Sequence, residues 1–372
     1  YIIFSSLSEI NMGNAFGSCN RRKRVVPRKR ETIDKTSTFK YKVMRCQDAH
    51  FSRRMVIFDE LNILMITSHF INSVELRDQT HLELFNLKTG RKLRYKRFCE
   101  YNLLERFSYI PERKMFCIAN TNGEVELHDV RGPKFLRSPF YKTIYGEILL
   151  MDYLVLDKDH IIMCGKFDGF EEWIIPQNTI RKHTFNQNYA NISQDKKTGL
   201  IFATEQISLT IFGFRYENDA MVAYFNIELS IIQQETIFRE KFHRFVLYDS
   251  ETQKMITYTR NAVFFWKMLP DDTKILFKVP PQHESNIENV LYLESIQKMM
   301  ISSTFSDQFY DFAECIKLDD VDPSVIQPKK TFYKMNLLSC KTYSKKHNVM
   351  ISSPVPLEKL IEFFSFRYTY AD

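Results

Sequence analysis

The stretch VIFDELNILMITS, residues 56–68, holds a short apolar strand, a polar turn, four apolar-leaning residues and one small residue. Its second half, LMITS from Leu64, recurs along the chain. It returns as MFCIA from Met115, IIMCG from Ile161, LIFAT from Leu200, MITYT from Met255, MMISS from Met299 and VMISS from Val349. The fifth position is Ser68, Ala119, Gly165, Thr204, Thr259, Ser303 and Ser353, small every time. Successive copies are 51, 46, 39, 55, 44 and 50 residues apart. A fixed small residue after an apolar run, at a nearly regular spacing, is the mark of a structural repeat.

The flanks repeat as well. A strand and a turn precede each copy, as in FSYIPERK, LVLDKDH, ISQDKKTG, VLYDSETQK, LYLESIQK and KTYSKKHN. Their Asp, Glu, Lys, Ser, Asn and Pro residues suit tight hairpins. A third strand follows: HLELFNL, EVELHDV, FEEWII, SLTIFGF and AVFFWKM. A looser fourth follows in most units, such as RKLRYKRF after Lys88-Thr89-Gly90. The runs are too short, too β-branched and too aromatic for helices. A two-sheet sandwich would not recur as four-strand units at this period. Seven units of four strands predict an all-β, seven-bladed β-propeller.

The ends of the chain support the same arrangement. After VMISS the last unit has one clear strand, roughly Leu360 to Tyr370, and lacks an outer strand. TFKYKVM, Thr38 to Met44, is an orphan strand of edge type at the other end. Pairing the two would close the last blade. The expected organisation is a basic N-terminal tail over residues 1–37 and a propeller over residues 38–372.

Over residues 38–372 the chain resembles the WD-repeat propellers. LELFNLKTGRKL from Leu82 is similar to the family's third strand, with Phe85-Asn86 for Trp-Asp. Glu126-Leu127-His128-Asp129 keeps the Asp and has His128 for Trp. Trp173 and Trp266 end third strands without the following Asp. His50 and His283 match the histidine that precedes a blade's first strand, and Asp168 and Asp307 match the Asp between the second and third strands. The resemblance implies that these six residues join buried hydrogen-bond networks that stiffen the blades, rather than catalysing a reaction.

The net charge of +7 is confined to one place. Arg21, Arg22, Lys23, Arg24, Arg28, Lys29 and Arg30 are seven cations with no anion among them. Without them, 45 basic residues face 45 acidic ones, so the body is neutral and offers no broad nucleic-acid-binding face. Nucleic-acid contact would come only through the tail. The seven cysteines are scattered, with no Cys-x-x-Cys pair, which argues against a disulfide framework or zinc site and for a reducing, cytosolic compartment. No dinucleotide, phosphate-loop, metalloprotease or nucleophile-elbow motif is present, and the nine histidines have no ligand-like spacing. The expectation is a non-enzymatic scaffold without cofactor or metal. Its partners would dock on the propeller faces and on three insertions, residues 69–80, 215–242 and 317–331.

The N-terminal stretch NMGNAFGSCNRRKRVVPRKR, residues 11–30, adds a second element. If translation starts at Met12, Gly13 heads the mature chain and resembles an N-myristoylation site, although Gly17 stands where the strict form has Ser or Thr. Cys19 is a palmitoylation candidate, and the basic block follows at once. One myristoyl chain holds a membrane weakly and needs a second signal, which a polybasic segment supplies. This predicts a protein-binding propeller tethered to a cytosolic membrane face. RRKRVVPRKR also reads as a nuclear import signal or a nucleic-acid contact. The alternative is therefore an untethered subunit of a nuclear or cytoskeletal complex.

Overall fold

A computed structural model describes residues 29–40, 52–72, 77–89, 91–99, 103–120, 123–129, 150–205, 210–227, 244–259, 262–268, 274–279, 286–303, 306–312, 330–333, 338–355 and 360–370. These residues form seven antiparallel sheets. Sheet 1 is β2 (Ser52–Phe58), β3 (Ile63–Asn72), β4 (Arg77–Asn86) and β5 (Lys92–Cys99). Sheet 2 is β6 (Leu103–Ile110), β7 (Met115–Asn120) and β8 (Val125–Asp129). Sheet 3 is β9 (Leu150–Val155), β10 (His160–Gly165), β11 (Phe170–Ile174) and β12 (Thr179–His183). Sheet 4 is β13 (Tyr189–Gln194), β14 (Ile201–Glu205), β15 (Ile211–Glu217) and β16 (Ala220–Ile227).

Sheet 5 is β17 (Arg244–Asp249), β18 (Lys254–Tyr258), β19 (Val263–Lys267) and β20 (Lys274–Val279). Sheet 6 is β21 (Ile287–Leu293), β22 (Lys298–Ser303), β23 (Ser306–Asp311) and β24 (Lys330–Tyr333). Sheet 7 takes β25 (Leu338–Ser344), β26 (Val349–Val355) and β27 (Leu360–Tyr370) from the end of the chain and β1 (Lys29–Lys40) from its start, in the order β1-β27-β26-β25. Each recurring motif lies on the second strand of its unit.

The motif is apolar at consecutive positions because both faces of that strand are covered. In β7, Met115, Cys117 and Ala119 pack with Tyr153, Ile161 and Met163 of sheet 3, while Phe116 and Ile118 pack with Met65 and Leu84 of sheet 1. In β10, Ile161 and Met163 face sheet 2, and Ile162 and Cys164 pack with Ile201 and Phe214 of sheet 4. Phe202 of sheet 4 meets Met255 and Trp266 of sheet 5. Ile256 of sheet 5 meets Met299 and Ile301 of sheet 6. Met300 of sheet 6 meets Met350 of sheet 7. Burial on both faces also keeps Cys117 and Cys164 as reduced, fully enclosed thiols whose ionisation burial pushes far upward.

Four expectations change. The strand that pairs with β27 runs from Lys29 to Lys40, not over 38–44, and its register begins Lys29↔Tyr370 and ends Lys40↔Leu360. Lys29 and Arg30 therefore belong to a strand, and the expected boundary at residue 38 falls inside it. Residues 29–37, expected in the tail, join the strand because a free ladder opposite can be paired through the backbone. The proposed insertion 69–80 is largely the continuing β3–β4 hairpin, paired from His69↔Thr80 to Asn72↔Arg77. The start of 215–242 is a hairpin too: Asn218 and Asp219 both have positive φ, 51° and 60°, and turn β15 directly into β16. That two-residue turn needs φ > 0 twice, which Asn and Asp tolerate. Of 317–331 only Lys330 and Thr331 lie among the described residues, at the start of β24.

Candidate functional site: the turn face and the buried networks

The turns joining the first and second strands gather on one side of the fold. Arg113 in the turn of sheet 2 bonds the Lys158 carbonyl and pairs with Asp159 in the turn of sheet 3. Lys197 of sheet 4 pairs with Glu251 of sheet 5 at 3.0 Å. Lys345 of sheet 7 pairs with Glu294 of sheet 6. Asp59 of sheet 1 accepts from the Ser344 hydroxyl and from the backbone N–H of Lys345 (3.0 Å) and Lys346 (3.3 Å) in sheet 7. The charges in these turns, which read from sequence as plain hairpin residues, thus link one sheet to the next.

These turns share a backbone device. Asn62, Lys114, Gln253, Gln297 and Asn348 close them in the left-handed region, with φ from 50° to 57°, and Gly199 does so at 74°. A chain with only 10 glycines in a turn-rich fold meets the requirement with Asn, Gln and Lys. A side chain there carries steric strain of about 1 kcal/mol. Lys114→Gly is expected to stabilise the protein by a few tenths to about 1 kcal/mol, because relief of strain outweighs the entropy of glycine. Gln297→Gly is expected to give no gain, because it removes the bonds of Gln297 to the Tyr292 hydroxyl and the Glu294 carbonyl, both 2.8 Å. Chemical denaturation of both variants checks the contrast.

Of the six residues expected in blade networks, four are described. Trp266 is buried and its indole N–H donates to Thr257 Oγ1 at 2.8 Å. Asp307 is buried at the start of β23, inside the strand rather than in a turn, and accepts from Ser302 Oγ at 2.6 Å. Asp168 sits in the β10–β11 turn, exposed, and accepts from the Gln187 N–H at 3.2 Å. Gly169 beside it has φ +78°, and a Cβ there would come within 1.9 Å of the His183 carbonyl oxygen. Trp173 is 1% exposed and packs between sheets 2 and 3. His50 and His283 lie outside the described residues, as do Gly13, Cys19, Arg21, Arg22, Lys23, Arg24 and Arg28. Thr257→Val is expected to cost about 1–3 kcal/mol by removing the acceptor of a buried indole N–H. An unfolding curve that matches wild type would refute this role for Thr257.

Two networks escaped the sequence reading. Glu172 on β11 is fully enclosed between sheets 3 and 4 and is the acceptor at the centre of the first. His183 Nε2 lies 3.0 Å from it, Arg181 3.1 Å, and the Tyr216 hydroxyl donates to its other oxygen. The Met221 N–H donates to His183 Nδ1 at 3.4 Å, which leaves Nε2 to donate to Glu172. Burial opposes the charge of Glu172, but the bonds from His183 and Tyr216 and the Arg181 guanidinium outweigh it and hold the carboxyl below its ordinary range. The Tyr216 phenol is pushed well up by burial and by Glu172. The available signal was two adjacent carboxylates, Glu171 and Glu172, between Phe170 and Trp173 in a strand of otherwise buried type.

The second network joins the first strands of three sheets. Asp152 on β9 pairs with Arg106 on β6 at 3.3 Å and accepts from the Ile192 N–H on β13 at 3.0 Å. Arg106 also reaches the Tyr153 carbonyl at 2.7 Å. Both networks hold strands together, and every polar group named in them has a protein partner. Among the described residues no group of three or more His, Cys, Asp or Glu could hold a metal, and no helix is long and apolar enough to cross a membrane.

Neither a family model nor a curated protein matches the chain in sequence. Its structure is similar to the crystal structure of the Cps50 (Swd1) β-propeller domain of Myceliophteria thermophila. The TM-score is 0.62 at 8% sequence identity, over 90% of this chain and 99% of that one. The chain has a β-propeller fold. At this identity the likeness concerns the fold alone, and the buried Trp266–Thr257 and Ser302–Asp307 pairs rest on the geometry already given.

Proposed function

We propose that the chain is a non-enzymatic interaction scaffold, a closed seven-bladed propeller in which β1 completes the last blade. The carrying observation is the turn face. The first turns of sheets 2 and 3, 4 and 5, 6 and 7, and 7 and 1 are linked by charge pairs or backbone bonds, which holds this loop face in place as a platform for a partner. The β-propeller fold found in comparison supports a scaffold. The apolar clusters join each sheet to the next from sheet 1 to sheet 7, and the turns of sheets 7 and 1 are bonded through Asp59, which supports closure.

In this reading Gly13 is acylated, Cys19 is a second acyl site, and the cations from Arg21 to Arg30 hold the propeller against an anionic, cytosolic leaflet. Purification of the native complex from its own cells, with and without reversal of turn-face charges, tests the scaffold: a defined partner should be retained by wild type and lost with the reversals. Mass spectrometry of the native N-terminus tests the tether, and a chain in which Gly13 is internal refutes it. Nuclear accumulation that survives Gly13→Ala and is lost when residues 21–30 are neutralised would replace tethering by import.

A further inference from the structure

We propose that the turn-face side of sheets 7 and 1 is a second membrane-docking surface, which lays the propeller on an anionic leaflet. The lipid class rests on the tether reading above; the surface rests on observations of its own. Exposed Lys346, Lys88 and Arg91 stand on two turns that are bonded together. His347 Nε2 lies 2.9 Å from Asn62 Oδ1, and the Leu87 N–H donates to the Asn62 carbonyl at 2.8 Å, so Asn62 joins the turn of sheet 7 to the β4–β5 turn of sheet 1. Asn86 Oδ1 accepts from the N–H of Lys88 and Thr89, both 2.9 Å, and fixes the second turn. The nearby acids are mostly engaged: Asp59 accepts backbone N–H groups, Glu294 pairs with Lys345, and Glu83 pairs with Lys92. Glu60 is the exposed acid that opposes the patch.

β1 begins on this same side. β25 ends at the Lys345–Asn348 turn, and Val349, just after it, pairs with Ser365. β27 runs on to Tyr370, and beyond Ser365 its described partner is β1, from Ile33↔Phe366 to Lys29↔Tyr370. A two-stranded ribbon therefore runs five residues, roughly 16 Å at strand rise, beyond Val349 on the side of the turn. In sequence it holds three cations (Lys29, Arg30, Arg367), one acid (Glu31) and three aromatic residues (Phe366, Tyr368, Tyr370), a net basic and aromatic composition. Lys29, where β1 begins, follows the basic block in sequence, and this end of the ribbon lies on the same side as the Lys346/Lys88/Arg91 patch. Cations beside an anionic surface attract it additively within a Debye length.

The test uses the full-length, unacylated chain and vesicles of equimolar phosphatidylserine and phosphatidylcholine, with phosphatidylcholine alone as reference. The triple variant Lys88→Glu, Arg91→Glu, Lys346→Glu is expected to bind the anionic vesicles at least about ten-fold more weakly. A control with the same change in net charge elsewhere on that face, Lys114→Glu, Lys158→Glu, Lys196→Glu, should lose less than about three-fold. Equal losses in the two variants, or no loss in the first, overturn the docking surface. If neutralising residues 21–28 abolishes binding while the patch variant binds as wild type, the tether stands and the docking surface falls. If wild type does not prefer anionic vesicles, both fall. Loss of binding to a duplex oligonucleotide with vesicle binding intact would assign the patch to nucleic acid and overturn the proposal. Melting curves report folding, and the corresponding Gln variants repeat the test should a Glu variant unfold.

Discussion

A chain that begins at Thr38 is expected to melt about 10 °C or more below one that begins at Lys29, and the chain that begins at Lys29 should melt close to the full-length protein. The sequence alone suggests the opposite for Thr38, since residues 1–37 resemble a tail. The structure places Lys29–Ser37 in β1, where they provide eight of the eleven register pairs with β27. Their removal leaves the outer edge of sheet 7 open along Phe363–Tyr370. Each ladder hydrogen bond contributes about 1 kcal/mol net, partly offset by the entropy of ordering the strand, so a loss of several kcal/mol is expected. The effect should exceed that of a side-chain change because a whole strand goes, and because sheet 7 bonds to sheet 1 through Ser344 and Asp59. Differential scanning calorimetry of the three chains decides it. A midpoint for the Thr38 chain within about 2 °C of full length would show that β1 does not hold the fold together.

Glu172→Ala is expected to cost about 3 kcal/mol at neutral pH, the largest single-residue effect foreseen. A carboxylate removed from a buried cluster leaves Arg181, His183 and Tyr216 aimed at a void. The pH dependence follows from the lowered carboxyl. A group whose folded pKa lies below its unfolded value contributes fully above the unfolded value, about 4.3 for Glu, and the contribution disappears as pH falls through the folded value. The gap between wild type and Glu172→Ala should therefore be widest near neutrality and narrow below about pH 4. Urea unfolding of both proteins from pH 7 down to the lowest pH at which each folds measures the gap. A constant gap would mean that Glu172 acts through packing rather than through its charge.

The parts legible in sequence share one physical cause. LMITS and its six relatives stand out because a strand covered on both faces must be apolar at successive positions, as Ile161 to Cys164 show. The turns after each first strand were legible because tight hairpins restrict residue type. The Asn218-Asp219 turn reads as part of an insertion because β16 lies where little is buried. Val222 and Tyr224 on β16 are exposed, so no hydrophobic period announces that strand. β1 begins earlier than its sequence suggests because an edge strand is selected by the free ladder of β27, and backbone groups carry no sequence signature.

The candidate site divides in the same way. Trp266 and Asp307 were legible through a family resemblance, and each forms a buried bond. Glu172 was not, because Arg181 and His183 reach it from the neighbouring strand β12 and Tyr216 joins only when sheet 4 packs on sheet 3. Sequence alone revealed an all-β, four-strand repeat and a basic leader, since periodicity and charge are local properties of the chain. Tertiary structure alone set the start of β1 at Lys29, put that end of β1 on the turn side, and brought the turns that carry Lys346, Lys88 and Arg91 together. Those facts depend on which strand ends share a side, and residues separated by most of the chain become neighbours there only through the packing of sheet 7 on sheet 1.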